Sequence, residues 1–353
     1  MNFINPHSKI LHHLDRLSAL QKGEKCYPIN AEIDLSNRCN LHCSWCDFAY
    51  THSKSPWANK YKKPEGYIET GDLMTWIFAL EIMNKLRMAG VTSITWTGGG
   101  EPLMNPEAVE IFRTAHDLGF QQGIYTNGTL VDYHNAEALK ELMTWIYISL
   151  DAYDRRSYTV SKGKGFAAAC HAVSLLKMIE GQATIGVGFL LNCDNYRHVS
   201  EMYKLGIDLG ADYIQFRPTV NYDQDMPGTV KDDGVWLENA MNYLVQLRGK
   251  SKLEFDLGRF RILRHWQGHG YKRCYWAQLQ TSITPNGKVW TCINKRGHRG
   301  AEIGDLTTQS FKEIWDAVGE TCVNADCRIL CRGHFANVTI NEIMRKEKHE
   351  NFI

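Results

Sequence analysis

The order of apolar runs constrains this chain more than any other feature. Between about residues 30 and 220, six short strand-like runs occur: Ala31–Leu35, Ser93–Thr97, Gln122–Thr126, Ile146–Leu150, Thr184–Leu191 and Tyr213–Arg217. Amphipathic stretches at Asp72–Met88, Pro106–Leu118, Ala136–Met143, Phe166–Ile179 and His198–Leu209 separate them. Strands joined by helices run parallel, because each helix carries the chain back to the end from which the previous strand began. Six units are too few to close an eight-stranded barrel, so the expected fold is α/β, a partial (β/α)6 barrel over residues 30–232. Chemistry in such folds collects at the C-terminal ends of the strands. A chain of 353 residues, 44% hydrophobic and 22% charged, has room for that barrel and a small appended domain.

Cysteines mark where the chemistry lies. Of eleven, Cys39, Cys43 and Cys46 fall within eight residues, and Cys274, Cys292, Cys322, Cys327 and Cys331 occupy the last quarter. That spacing is too uneven for a secreted disulfide framework and suits metal binding in a reducing compartment. Cys39-Asn-Leu-His-Cys43-Ser-Trp-Cys46 follows the first strand directly. A structural zinc site wants four protein ligands, whereas a four-iron cluster held by three thiolates keeps one iron open to a small molecule. A zinc knuckle completed by His42 or His52 is the alternative.

With Trp45 before its last cysteine, this C-x3-C-x2-C loop resembles the signature of the radical S-adenosylmethionine superfamily. The resemblance implies a [4Fe-4S] cluster whose open iron binds the amino and carboxylate groups of S-adenosylmethionine. Reductive cleavage then gives a 5′-deoxyadenosyl radical that abstracts a substrate hydrogen. It also implies an electron donor such as flavodoxin or ferredoxin. Thr97-Gly98-Gly99-Gly100-Glu101-Pro102 follows the second strand, where absent side chains let backbone approach a ligand and Glu101 can accept from a cationic amine. A mere turn is the plainer reading; the run resembles the family's Gly-Gly-Glu element, which binds the methionyl amine. Asn127 closes the third strand, and Ser149 and Asp151 at the fourth suit ribose contacts, with Asp151 equally suited to capping the next helix. Lys162 stands where many relatives place an arginine toward the methionyl carboxylate, and a lysine offers a point charge without the bidentate fork. Asn195 and Arg217 complete the expected lining, Arg217 having the alternative role of tying barrel to cap. Cys193, after the fifth strand, is a candidate hydrogen donor to a substrate radical, as an epimerase requires, or an uninvolved loop cysteine.

Near the C-terminus, Cys274 is followed after twelve residues by Gly287 and after four more by Cys292. Pro285-Asn286-Gly287 is a hairpin turn signal that brings the two cysteines to one end of a short antiparallel pair. With a helix over Phe311–Trp315 ahead of the last cysteines, the region resembles the SPASM and twitch extensions of radical enzymes. A full SPASM domain has seven cysteines and two auxiliary clusters; five here favour the twitch-like form with one auxiliary [4Fe-4S] cluster. Its expected ligands are Cys274, Cys292, Cys327 and Cys331, with Cys322 the alternative for either late position. Zinc is again the alternative metal, since four ligands would close its site. The expected division is an N-terminal helical extension (1–29), the barrel (30–232), a helix and basic bridge (233–273), and the auxiliary-cluster domain with a C-terminal helix (274–353).

A formal charge of +1 excludes a uniformly basic surface, yet residues 248–273 hold eight basic residues against two acidic ones, a local +6. That stretch reads either as a solvated linker or as the binding surface of an anionic substrate: a nucleotide, a phosphorylated metabolite, an acidic peptide or a nucleic acid. Asp47–Tyr67 is polar and reads as a long loop beside the site. Charges within residues 1–25 break the apolar stretch of a signal peptide, and no run reaches the ~18 apolar residues of a membrane span, so the expectation is a cytoplasmic protein without membrane contact. The net reaction stays open among oxidation, epimerisation, cross-linking and isomerisation. A non-catalytic iron–sulfur or zinc protein is the rival class, and it has no need of the motifs after strands two to four.

Overall fold

Ten strands lie in one continuous sheet in the computed structural model, which describes residues 6–52, 63–220, 235–319, 323, 327 and 331–345. Helices α1 (Pro6–Lys9) and α2 (Leu14–Lys22) precede β1 (Asn30–Asp34). The alternation then runs α3 (Trp76–Met88), β2 (Ser93–Thr97), α4 (Ala108–Asp117), β3 (Gln121–Thr126), α5 (Tyr133–Leu142) and β4 (Trp145–Ser149). It continues with α6 (Arg155–Ser161), α7 (Phe166–Met178), β5 (Thr184–Leu191), α8 (Val199–Asp208) and β6 (Tyr213–Pro218). The β-branched and aromatic runs form the strands, and helices start at side-chain caps: Thr75 accepts from the Phe78 amide, and Asp132 and Asn135 close a capping box. Helix α4 lays an apolar stripe on the sheet, with Ile111, Phe112 and Ala115 buried and Phe112 against Trp96 of β2.

Two parts of the sheet depart from the expected six units. After α9 (Val235–Gln246), the stretch read as a basic bridge forms β7 (Leu253–Phe255) and α10 (Leu257–Arg264). Strand β7 pairs parallel with β6, Ile214 opposite Leu253. Three residues, one of them Glu254, are too short a run to show a period, and the arginines of α10 mask its apolar positions.

The cap is not a separate body. Strand β8 (Gln280–Ile283) pairs parallel with β1, Asn30 opposite Gln280. It turns at Gly287, which has φ +84°, into β9 (Lys288–Trp290), and β10 (Glu302–Asp305) follows. Eight neighbouring strands, β8 and then β1 to β7, thus pair in parallel, with the six expected ones among them, and the sheet is open with β10 and β7 at its edges. Helices α11 (Phe311–Ala317) and α12 (His334–Ile343) complete the chain. A buried ionic knot reinforces the seam: Arg296 pairs with Glu32 at 3.2 Å and with Asp34 at 3.0 Å, and Glu32 also meets Arg332. Ile10, Leu17 and Leu20 of the N-terminal helices pack with Tyr275, Leu279 and Ile340, so the extension rests on the cap. Among the described residues no helix is long and apolar enough to cross a membrane.

Candidate active site

The first cysteine loop is clamped by backbone on both flanks. The Gly100 and Glu101 amides donate to the carbonyls of Ser36 (3.0 Å) and Arg38 (2.8 Å), and the His42 and Ser44 amides to those of Lys162 (3.1 Å) and Ser161 (2.9 Å). Arg38 forms an ion pair with Asp72, and the Asn105 side chain bridges the carbonyls of Leu35 and Met74. Glycine in the run after β2 is required by this packing: a Cβ on Gly99 would stand 2.1 Å from both Asn37 Oδ1 and Thr51 Oγ1, and one on Gly100 2.2 Å from the Arg38 carbonyl oxygen. The chain's own atoms make this close approach, while Gly98 and Gly100 also border the cavity described below. Asp47–Tyr67 begins with a 3-10 turn at Ala49–Thr51; residues 53–62 of that loop lie outside the described ones.

Burial pushes the Cys39 thiol up to about 12, with Cys43 adding to it, and holds Cys46 well above the ordinary thiol range, where Cys43 and Cys39 add further. Three protons must therefore leave when metal binds. His52 Nε2 lies 3.9 Å from Cys46 Sγ, and burial lowers its pKa. Among the described residues no three His, Cys, Asp or Glu side chains converge on a single ion. Thiolates at the corners of a four-iron cluster stand farther apart than ligands sharing one ion, and three neighbouring thiols on one loop fit such a cluster.

A cavity of about 320 Å3 opens in front of this loop, within the range of small-molecule sites. All three thiols line it together with Trp45, Gly100, Glu101, Asn127, Ser149, Asp151, Lys162 and Arg217. Gly99, Asn195 and Cys193 are not among its lining residues. Glu101 is buried and accepts from Thr126 Oγ1 (2.7 Å) and the Leu103 amide (3.2 Å) on one oxygen and from the Asn127 amide (2.8 Å) on the other; burial raises its pKa and these bonds oppose the rise. Asp151 has φ +58° and spends both oxygens inside the protein, on the Leu190 amide (2.9 Å) and on Lys162 Nζ (2.8 Å). It does not cap α6, a role that Asp154 takes. Lys162 also donates to the Ser149 carbonyl; burial, the largest influence, would lower its pKa, but Asp151, Cys43 and Tyr158 together outweigh it and hold the ammonium above the ordinary lysine range. Asn127 donates to Asn40 Oδ1 and accepts from the Thr129 amide, each at 2.9 Å, and Asn195 ties the Leu190 carbonyl to the Asn192 amide, so both brace strand ends. Cys193 Sγ lies 3.8 Å from Asp194 Oδ1.

In the cap, four of the expected thiols are electrostatic neighbours. Burial pushes Cys331 up to about 12 with Cys274 and Cys292 adding, and burial raises Cys274, opposed by a 3.2 Å bond from Asn337 and reinforced by Cys292 and Cys327. Cys322 lies outside the described residues. Cys331 also lines the cavity before the first loop, so both cysteine sets border one space. Sequence reasoning missed the buried partners Glu32 and Asp34 and the lining residue Arg332. Alternation marks the first two as strand positions and says nothing of their charge partners. Arg296 is 1% exposed and occupied by carboxylates of β1.

Both cysteine regions fall within or begin stretches that match known families. A family model described as the Radical SAM superfamily matches residues 33–205, and one described as an iron–sulfur cluster-binding domain, SPASM, matches 274–320. The chain is 24% identical over 295 residues to a PqqA peptide cyclase of Gluconobacter oxydans, covering 82% of this chain and 76% of the relative. It is 23% identical over 305 residues to an AdoMet-dependent heme synthase of Methanosarcina barkeri, covering 80% of each. In fold it is similar to Streptococcus suis SuiB bound to the precursor peptide SuiA, with TM-score 0.65 and 14% identity over 89% of this chain and 70% of that one. It is also similar to anSMEcpe with bound AdoMet, with TM-score 0.59 and 18% identity over 82% and 80%.

Proposed function

The chain belongs to the radical S-adenosylmethionine superfamily and carries a SPASM-type iron–sulfur extension, and from that premise we propose that it abstracts a hydrogen atom from a substrate seated between barrel and cap. Its cofactors are a [4Fe-4S] cluster, an auxiliary cluster and S-adenosylmethionine. The observation that carries the proposal is the shared cavity: Cys39, Cys43 and Cys46, the ends of β2 to β4, and Cys331 of the cap all border it. When bound and reduced, the open-iron cluster supplies one electron to S-adenosylmethionine, releasing methionine and a 5′-deoxyadenosyl radical that takes a hydrogen atom from the substrate.

The chain's own residues bind and orient. Cys39, Cys43 and Cys46 hold three irons, and Cys274, Cys292, Cys327 and Cys331 hold the auxiliary cluster. Glu101 keeps acceptor capacity beyond its three bonds for the methionyl ammonium. Lys162 has a third N–H beyond those given to Asp151 and Ser149, which suits the methionyl carboxylate. Ser149 supplies the hydroxyl for the ribose, Trp45 flanks the nucleoside, and Asp151, Asn127 and Asn195 act as positioning residues. A flavodoxin or ferredoxin supplies the electron. Since one relative is a peptide cyclase and one structural neighbour holds a precursor peptide, a peptide side chain is the first substrate class to try. The test is anaerobic incubation of reconstituted enzyme with S-adenosylmethionine and dithionite. Release of 5′-deoxyadenosine supports the proposal, and none, with both clusters present, returns the chain to a non-catalytic iron–sulfur protein.

A further inference from the structure

We infer that Arg217, Arg259 and Arg332 form a binding site for an oxyanion of the substrate, a carboxylate or a phosphate group. The inference rests on the reaction proposed above and adds the chemistry of what enters. A second cavity, of about 620 Å3, fills the hollow of the sheet, and these three arginines with Tyr125 line both it and the cavity before the first cysteine loop. They arrive from separate elements: the end of β6, helix α10 and the residue just after Cys331. Gathering like charges at a wall is unfavourable without a counter-charge. Burial, with Arg217 and Arg332 nearby, pulls the Arg259 guanidinium down to about 10 despite Asp256 and Cys331.

Among the described residues, the carboxylates on the spot do not balance the three. Glu32 meets Arg332 but is shared with Arg296 and Gln280. Asp151 is taken by Lys162 and the Leu190 amide, and Asp256 caps α10 through the Gly258 amide. Arg217 donates one N–H to the Tyr147 hydroxyl (2.8 Å), and its buried Nε has no partner among the described residues. Arg259 lies over the Phe335 ring at 5.7 Å, and its guanidinium makes no hydrogen bond among the described residues. Free N–H groups on planar forks match the oxygens of a carboxylate or phosphate. An acidic end held here sets the rest of the substrate toward the cysteine loop. Of the basic residues in 248–273, Arg259 alone lines the cavities, while Arg248, Lys250, Lys252, Arg261 and Lys272 are exposed.

The experiment is calorimetric titration of anaerobically reconstituted full-length enzyme with glutarate and, separately, pyrophosphate, each with and without saturating S-adenosylmethionine. One of the two should bind, which tells carboxylate from phosphate. Arg259→Ala should weaken it roughly ten- to hundredfold, the loss of charge-assisted bonds, and Arg259→Lys less, while exposed Arg261→Ala keeps the parent's affinity. Circular dichroism and iron content establish that the variants are folded. Four results would overturn the site: neither anion binds, Arg259→Ala binds as the parent does, Arg261→Ala loses as much, or S-adenosylmethionine competes, which would give the arginines to the methionyl carboxylate. A shift in the auxiliary cluster's paramagnetic resonance without a change in anion affinity would likewise assign Arg259 to balancing cluster charge. Binding is read without turnover: an enzyme that binds the anion yet releases no 5′-deoxyadenosine refutes the proposed reaction and leaves this site, and the reverse pattern does the opposite.

Discussion

Cys39, Cys43 and Cys46 sit on eight consecutive residues of one loop, whereas Cys274 and Cys292 flank a hairpin and Cys327 and Cys331 come from the segment ahead of α12. The first set is positioned by its neighbours' backbone, through amide bonds from Gly100 and Glu101 and to Lys162 and Ser161, whatever it holds. The second comes together only when distant segments meet, so the cluster proposed there would be a cross-link as well as a cofactor. Losing metal at the first loop should therefore cost chemistry, and losing it in the cap should cost stability.

The largest effect tests the first half of that contrast. Replacing Cys39, Cys43 and Cys46 together by Ala should bring 5′-deoxyadenosine release to the no-enzyme background and cut iron from about eight to about four per chain, with Tm shifted only slightly. Retained cleavage would remove the loop from the reaction. Next, Cys274→Ala with Cys292→Ala should also remove about half of the iron, lower Tm more than the triple variant does, and leave some uncoupled cleavage. Stoichiometric zinc in anaerobically purified protein, or an unchanged Tm, would break the comparison.

A third prediction concerns the seam. Arg296→Met leaves Glu32 and Asp34 buried without their shared cation and should destabilise by about 3–5 kcal/mol in chemical denaturation, with much of the loss recovered when Glu32→Gln and Asp34→Asn are added. Burial has already pushed Asp34 up to about 6 against the pull of Arg296, so its carboxylate is the costlier one to strand. The smallest effect belongs to Lys162. Lys162→Ala should weaken S-adenosylmethionine binding roughly tenfold and Lys162→Arg less, by equilibrium dialysis. Equal affinity in both variants and the parent would leave Lys162 as Asp151's partner alone.

Much of the fold could be read from local pattern. The six apolar runs became strands within a residue or two, and the turn at Gly287 formed the hairpin its Pro-Asn-Gly announced. What escaped was non-local. Nothing in Gln280–Ile283 says that its partner is β1, and nothing near Arg332 says that Glu32 waits for it. At the site, residue types were legible and their commitments were not. Asp151 looked like a ribose contact, but a positive φ turns its carboxylate back on Leu190 and Lys162. In α10 the even spread of arginines hid that one of them points inward, because charge counting along a chain carries no direction.

The pairing of β8 with β1 also bears on how the chain is made. Glu32 and its partner Gln280 are 248 residues apart in sequence, so at about 5–20 residues per second a ribosome needs some tens of seconds between exposing the first strand and supplying the second. Throughout that interval one edge of β1, next to the cysteine loop, offers unpaired amides and carbonyls to any other strand. A nascent chain of this protein is therefore most prone to mispairing at its first strand. Truncation before β8 would make that temporary hazard permanent.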